Sequence, residues 1–388
     1  MTYQVGIYQG IEKIDKREWN ALASNMATPL LDWEWLYCLE ASESISAETG
    51  WLPVHMTVRR EGQLVAAAPL YVRTHSVGEF VFDFMWADVA QQIDYDYYPK
   101  LIGMSPATPS TAYRPLIAPG EDQEIIYQLL SDQILQFAES NKLNTVAFNY
   151  IEEPWKDHLA ANGFSLWKHQ SYEWRNPGFA SFDDYLADFT KNQRRNIRRE
   201  RKAVAEAGVR VEVVPGADAP ASYFQQMYRL YRRTNDQFGP WAAKYLNKSF
   251  FDLVEEHARH RVIFVAAAEL DAAPEQPPLA MAMLLHKDKT ILGRYWGTEE
   301  FVHSLHFDVC YYAPIEWAIN NGVEVFDPGM GSHHKVRRGF RAIPNYSAHH
   351  FSDPRMQAIF EANLPRFNEM ESDNIEALNE ARPIKSHD

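Results

Sequence analysis

The sequence predicts an α/β (α+β) protein made of two similar domains, each a mixed sheet flanked by helices. Three observations carry that expectation. The chain has 388 residues, more than one ordinary core accommodates and comfortable for two. The same order of elements is written twice along it. A breaker triplet, Asn176-Pro177-Gly178, stands between the copies. The expected domains are 1–175 and 176–352, with a helical tail over 353–388.

The first copy opens with a small-residue strand over Gly62–Tyr71, then a second strand at Gly78–Asp83 and a tyrosine-rich stretch at Tyr95–Tyr98. A helix over Ile125–Asn141, a strand over Thr145–Asn149 and a Gly163-Phe164 pair complete it. The second copy runs through strands at Leu279–Leu285 and Thr290–Trp296, then helical residues from His306 to Asn320. It closes with a strand at Val323–Phe326 and a Gly339-Phe340 pair. This is duplication of whole elements, not a short solenoid period. Between the copies, Ser181-Phe182-Asp183-Asp184 starts one helix, and a capping box at Thr190-Lys191-Asn192-Gln193 starts another. Gly208 ends that helix, because a glycine takes the left-handed position at no steric cost. Val209–Val213 alternates as a strand until Pro215-Gly216. Asp271–Pro278 reads as a hairpin loop, and Pro354–Arg382 as a polar helix interrupted at Pro365.

Composition excludes several classes. Hydrophobic residues at 46% and charged residues at 23% describe a folded chain. A net charge of −14 rules out a general DNA binder, so any polyanion must be held by a local basic patch. Two distant cysteines, Cys38 and Cys310, provide no disulfide framework, zinc ribbon or thioredoxin pair. The first residues lack a basic, apolar leader, and no apolar run reaches the ~18 residues of a membrane span. The expectation is a cytoplasmic protein without a membrane span.

The chemistry-bearing stretches are short. Lys191–Lys202 holds seven basic residues and one acid, Glu200, a local charge of +6. A solvated helix face is the ordinary explanation of such a run. It is weakened here by the lack of acids at i,i+4 and by the choice of arginine, whose fork matches phosphate. Lys191, Arg194, Arg195, Arg198 and Arg199 are therefore read as a phosphate grip. Gly329-Met330-Gly331-Ser332-His333-His334-Lys335 follows a predicted strand; it has neither dinucleotide nor P-loop spacing, but puts an imidazole and an ammonium at a strand end. Arg294, Tyr295 and Trp296, and then His306, Asp308 and Tyr311, mix ionisable and aromatic residues within core elements. Histidines at 303, 306, 333, 334, 349 and 350 crowd one region without a metal-site motif, so no metal is expected. There is no G-x-S-x-G elbow, and Cys310 reads as a buried structural thiol.

Thr190 to Arg199, followed by Ala207-Gly208-Val209, resembles the start of the second domain of Fem-type peptidoglycan bridge enzymes. The closer likeness is to a FemAB-like branch of the GNAT acyltransferase superfamily, described as peptidoglycan biosynthesis/recognition proteins. That pattern continues in Pro69-Leu70-Tyr71, His75-Ser76, Gly78–Asp83, Tyr97–Leu101, Gly293–Gly297, Leu305–Phe307, Cys310–Tyr312, His334-Lys335 and Arg338–Phe340. The resemblance implies two tandem GNAT-like domains with a cleft between them. It implies acyl or aminoacyl transfer to an amine of an anionic small molecule or cell-wall precursor. The implied donor is aminoacyl-tRNA or acyl-CoA, with charged tRNA as a partner and no tightly bound cofactor. The absence of the Q/R-x-x-G-x-G/A loop that grips coenzyme A favours aminoacyl-tRNA. His306, Asp308 or His334 would move the proton and Lys335 would stabilise the oxyanion. The basic helix, Arg294, Tyr295, Trp296 and Tyr311, together with His75, Glu79, Asp83, Lys100 and Arg114 of the first domain, would contact substrate. Ser332-His333 stands where relatives carry Gly-Glu, and Pro106–Pro109 and Ala112–Arg114 depart as well. The competing readings are an acetyl-CoA N-acetyltransferase and a non-catalytic binding protein. A solvent-flooded His334–Lys335 would favour the binder, and perturbed pKa values in a recess the enzyme.

Overall fold

A computed structural model describes residues 2–239, 242–273, 276–331 and 333–385. Its contacts divide the chain into two units. The first comprises Met1–Met26, Leu30–Gln170 and Pro344–Asp373; the second comprises Ala27–Pro29, Ser171–Ile343 and Asn374–Asp388. In chain order the first unit carries β1 (Tyr3–Tyr8), α1 (Lys16–Ala23), α2 (Trp33–Ala41), β2 (Trp51–Pro53), β3 (His55–Arg60), β4 (Gln63–Ala68), β5 (Tyr71–Arg73) and α3 (Phe84–Gln92). It continues with β6 (Lys100–Gly103), β7 (Leu116–Ile117), α4 (Gln123–Ser140), β8 (Thr145–Asn149), α5 (Glu153–Ala161) and the start of β9 (Ser165–Arg175). The second unit follows with α6 (Phe182–Asp188), α7 (Lys191–Glu206), β10 (Val209–Pro215), α8 (Ala221–Asp236), α9 (Lys248–Leu253), β11 (Val262–Glu269), β12 (Ala280–Lys287) and β13 (Thr290–Thr298). Then come α10 (Leu305–Phe307), α11 (Ala313–Asn320), β14 (Val325–Asp327), β15 (Arg341–Phe351) and α12 (Pro354–Glu380).

Among the described residues, each unit sets a parallel pair of strands between antiparallel neighbours. In the first, β5 and β6 are antiparallel, β6 and β8 parallel, and β8 and β15 antiparallel. In the second, β12 and β13 are antiparallel, β13 and β14 parallel, and β14 and β9 antiparallel. A parallel pair needs a crossover, and α4 and α11 supply it. The closing strands are exchanged between the halves of the sequence: the end of β9, Trp174–Arg175, pairs with β14, while Ser347–Phe351 of β15 pairs with β8. The division therefore falls after Gln170, and Pro344–Phe351 together with much of the tail groups with the first unit.

Local rules account for several helix starts. Asp15, Asp122 and Ser181 cap α1, α4 and α6 through their side chains. Thr190 stands at the start of α7 but its side chain makes no capping bond; its carbonyl takes the Arg194 N–H instead. Gly208 follows α7 with a φ of 74°, as expected. Gly78–Asp83 is not a strand but a loop into α3, because Glu79 and Asp83 are drawn into buried ion pairs. Pro365 does not break α12: Phe360 and Leu364 are buried against the aromatic cluster of Trp86, and that packing overrides the missing hydrogen bond. The loop from Asp271 does join two antiparallel strands, but Pro274 and Glu275 lie outside the described residues. Among the described residues, no helix is long and apolar enough to cross a membrane.

Candidate active site

The site grows from the parallel pair of the second unit. β13 and β14 are in register only from Thr290–Leu292 against Val325–Asp327. Beyond that point β13 continues to Thr298 on β12 alone, and a bulge leaves Arg294 without an opposite residue. The chain leaves β14 through Gly329, whose N–H donates to Asp327 Oδ1 at 2.7 Å. Gly329 and Gly331 have φ values of 72° and 140°, a turn that side chains other than glycine fit poorly. The C-terminal ends of parallel strands that part company are where α/β folds receive ligands.

Three segments deliver side chains to this place. Between α10 and α11, Asp308–Tyr312 forms a π-helical turn, a local widening that re-aims side chains and recurs at functional sites. It presents Tyr311, whose hydroxyl lies 2.9 Å from His334 Nε2. His306 packs edge-on to Trp296 at 5.1 Å, with its ring 5.7 Å from that of His334. His334 and Lys335 come from the short turn His333–Arg338. Lys335 is buried; its Nζ donates to the Gly329 carbonyl and sits 5.2 Å from the Tyr172 ring centre. Ser332 lies outside the described residues.

The electrostatics follow from burial. Desolvation, then the neighbouring cations, depresses His306 and His334 to about 4 each, so both imidazoles are neutral at neutral pH. Desolvation lowers the Lys335 ammonium to about 8, with Asp327 pulling the other way. Burial raises the Tyr311 hydroxyl and the Cys310 thiol above their ordinary ranges. Cys310, 3.4 Å from His306 Nδ1, is accordingly no thiolate nucleophile. A neutral base, a hydroxyl and a cation titrating near neutrality thus lie close together.

Asp308 does not join them. Its carboxylate lies 3.1 Å from Arg201, which also takes Glu316 at 2.8 Å. It ties α7 to the site helix; burial raises its carboxyl, and Arg201 works against that rise. Trp296 packs against His306, whereas Arg294 reaches the Tyr295 hydroxyl at 3.2 Å and Tyr295 packs against Tyr231 and Phe251.

α7 has two faces. Gln193, Ile197 and Val204 are buried, whereas Lys191, Arg195, Arg198, Arg199 and Lys202 are exposed and Arg194 is half-buried. Arg198 meets Asp183 at 3.2 Å, and Lys202 has an i,i+4 partner in Glu206 that the sequence reading overlooked. Among the described residues, Lys191, Arg194, Arg195 and Arg199 have no acidic partner.

With this geometry in view, comparison settles the family. The FemAB-like model, described as peptidoglycan biosynthesis/recognition, matches residues 10–386. The chain belongs to the FemAB-like family. No curated protein matches it. Among solved structures it is similar to FemX at 13% identity and a TM-score of 0.56, over 92% of this chain and 100% of that one. It is also similar to the C-terminal domain of a lysylphosphatidylglycerol synthetase from Agrobacterium fabrum (12% identity, TM-score 0.52, 90% and 95% covered). L-PGS from Bacillus licheniformis is a third (10%, 0.52, 92% and 97%). At 13% identity or less, these likenesses show the fold alone, a mixed α/β chain built like FemX over nearly its whole length.

In this FemAB-like chain the first-unit candidates are arranged differently from the expectation. Glu79, Asp83 and Lys100 come together, but with no exposure: Lys100 lies 2.8 Å from Glu79 and 2.6 Å from Asp83, and Arg73 lies 3.1 Å from Glu79. Burial raises Glu79; it would raise Asp83 too, but Lys100 holds that carboxyl below its ordinary value. These groups answer one another rather than open surface. His75 is bonded to Arg73 and to the Val77 N–H, and Arg114 to Glu152 at 2.9 Å. Sequence reasoning missed Arg73 and a buried chain in which Ser347 Oγ lies 2.7 Å from both His169 and His349. A lone serine or histidine on a strand has no signal until its partners are known. Of the six crowded histidines, 349 and 350 fall in the first unit, and no group of three or more metal-ligating side chains assembles among the described residues.

Proposed function

We propose that this protein transfers an aminoacyl group from aminoacyl-tRNA to an amine of an anionic, cell-wall-precursor-type acceptor, at the parting of β13 and β14. The observation that carries the reading is the convergence of Tyr311, His334 and His306, with buried Lys335 beside them, past the C-terminal ends of the parallel β13–β14 pair. The neutral amine attacks the ester carbonyl, the C–N bond forms and the C–O bond breaks. The amine proton passes to the Tyr311–His334 pair, and the departing ribose hydroxyl takes a proton back. Lys335 supplies positive potential to the developing oxyanion. The unpaired arginines of α7 hold phosphates of donor or acceptor. A buried Lys335 with a shifted pKa supports catalysis over mere binding. The lysylphosphatidylglycerol synthetase likeness is in keeping with aminoacyl chemistry.

The test is a mass-spectrometric screen of the full chain with charged tRNAs and acyl-CoAs against amine acceptors. An amide product with aminoacyl-tRNA is expected, together with tRNA binding that weakens steeply with salt. Tight, salt-insensitive acetyl-CoA binding with acetyl transfer would replace this reading by an ordinary acetyltransferase.

A further inference from the structure

The single acid in the basic run has a place of its own. Gln193, Ile197, Glu200 and Val204 follow one another at i, i+4, i+7 and i+11, one stripe of α7 turned inward. Both polar members end on the segment that carries His334. Gln193 Nε2 donates to the Arg337 carbonyl at 2.7 Å. Glu200 accepts from Arg338 at 3.0 and 3.2 Å, and from the Tyr312 hydroxyl. Arg338 is only 3% exposed. Its second nitrogen donates to the His334 carbonyl at 2.8 Å, and its guanidinium lies 3.4 Å from the Phe307 ring centre. Phe307 in turn lies 5.5 Å from the His334 ring. A buried ion pair is a poor device for stability alone, since apolar residues of similar volume do as well. Its fork geometry, one arm on Glu200 and one on the backbone of His334, fixes orientation.

We propose that Arg338, held by Glu200, is a positioning residue: it sets His334 against Tyr311, with α7 as its mount. This deepens the reading of the active site given above and rests on it.

The groups facing His334 are the Tyr311 hydroxyl, the His306 and Phe307 rings, and the charges of Lys335, Arg338 and His333. Three variants of the full chain, followed by NMR of labelled histidine, decide the matter. Arg338→Gln removes a facing cation, so the His334 midpoint rises from about 4 toward the ordinary imidazole range. Glu200→Gln leaves that cation uncompensated, so the midpoint stays at or below about 4. Arg338→Lys keeps the charge but loses the fork; it should abolish the Nε2 shift that reports the Tyr311 hydrogen bond. In the same variant kcat should fall about 100-fold with KM unchanged, the scale of a small misplacement of a reacting group. A rise of the midpoint in both charge variants, the mark of loosened packing, would overturn the proposal. So would an intact Tyr311 hydrogen bond in Arg338→Lys. If wild-type protein transfers nothing, the reaction assigned to the site fails, while the titration and hydrogen-bond shifts still test the geometry.

Discussion

His334 and Lys335 are adjacent in sequence and end in different surroundings, one half-open and the other sealed beneath a glycine turn. Because burial holds both imidazoles near 4 and lowers the ammonium to about 8, base and cation coexist only between those values. Each sign is fixed: the histidines lose their proton as pH rises through about 4, and Lys335 loses its charge as pH rises through about 8. Hence kcat/KM should climb on the acid side, hold, and fall on the alkaline side, and Lys335→Ala should cut turnover by about 100-fold. A flat profile to pH 9, or unchanged Lys335→Ala kinetics, would place the chemistry elsewhere. Trp296, His306, Tyr311 and His334 stand out in the sequence because they sit in short stretches where polar and aromatic residues interrupt apolar elements. Asp308 sits in the same stretch, but its partner Arg201 belongs to a distant segment, which spacing along the chain does not reveal. Glu79, Asp83 and Lys100 look like a ligand site for the same reason that any cluster of ionisable residues does; whether such groups face a ligand or one another is decided by tertiary burial.

At the scale of elements, α7 divides its labour between two faces. The exposed arginines without an acidic partner should contribute ground-state binding alone. Arg195→Ala with Arg199→Ala should therefore raise KM for the phosphorylated substrate about tenfold and leave kcat in place. Arg198→Ala should do less, because Asp183 already occupies it. Titration of binding against salt supplies the check: the double variant should show a shallower slope. α12 makes a different case. A proline inside a helix forfeits a hydrogen bond, so Pro365→Ala should stabilise the protein by about 2 kcal/mol in urea unfolding. A neutral or destabilising result would mean that the ring is itself part of the packing. The start and stop of α7 were readable from Thr190 and Gly208, but the continuation of α12 was not: a local breaker was outvoted by the burial of Met356, Phe360 and Leu364.

At the scale of the molecule, the helix-then-strand ending of each half was visible in the sequence, α4 into β8 and α11 into β14, while the loop at Gly78–Asp83 and the exchange of closing strands were not. Nothing local in Ser347–Phe351 says that it pairs with Thr145–Asn149 rather than with a strand nearer in sequence. Residues 1–175 alone should accordingly lack a cooperative unfolding transition, since β8 keeps one bare edge and Trp86 loses its partners on α12. A fragment spanning 340–373, added in trans, should restore hydrogen-exchange protection to β8; a cooperative transition in 1–175 by itself would show that the exchanged strand is dispensable. The same exchange sets a timetable for synthesis. β8 emerges from the ribosome before the bulk of the second unit and β15 after it, so the nascent chain carries an unfinished sheet with Val146 and Phe148 on its open strand throughout that interval. Translation speed and chaperone access over that interval, more than the stability of the finished protein, should govern how much of it reaches the folded state.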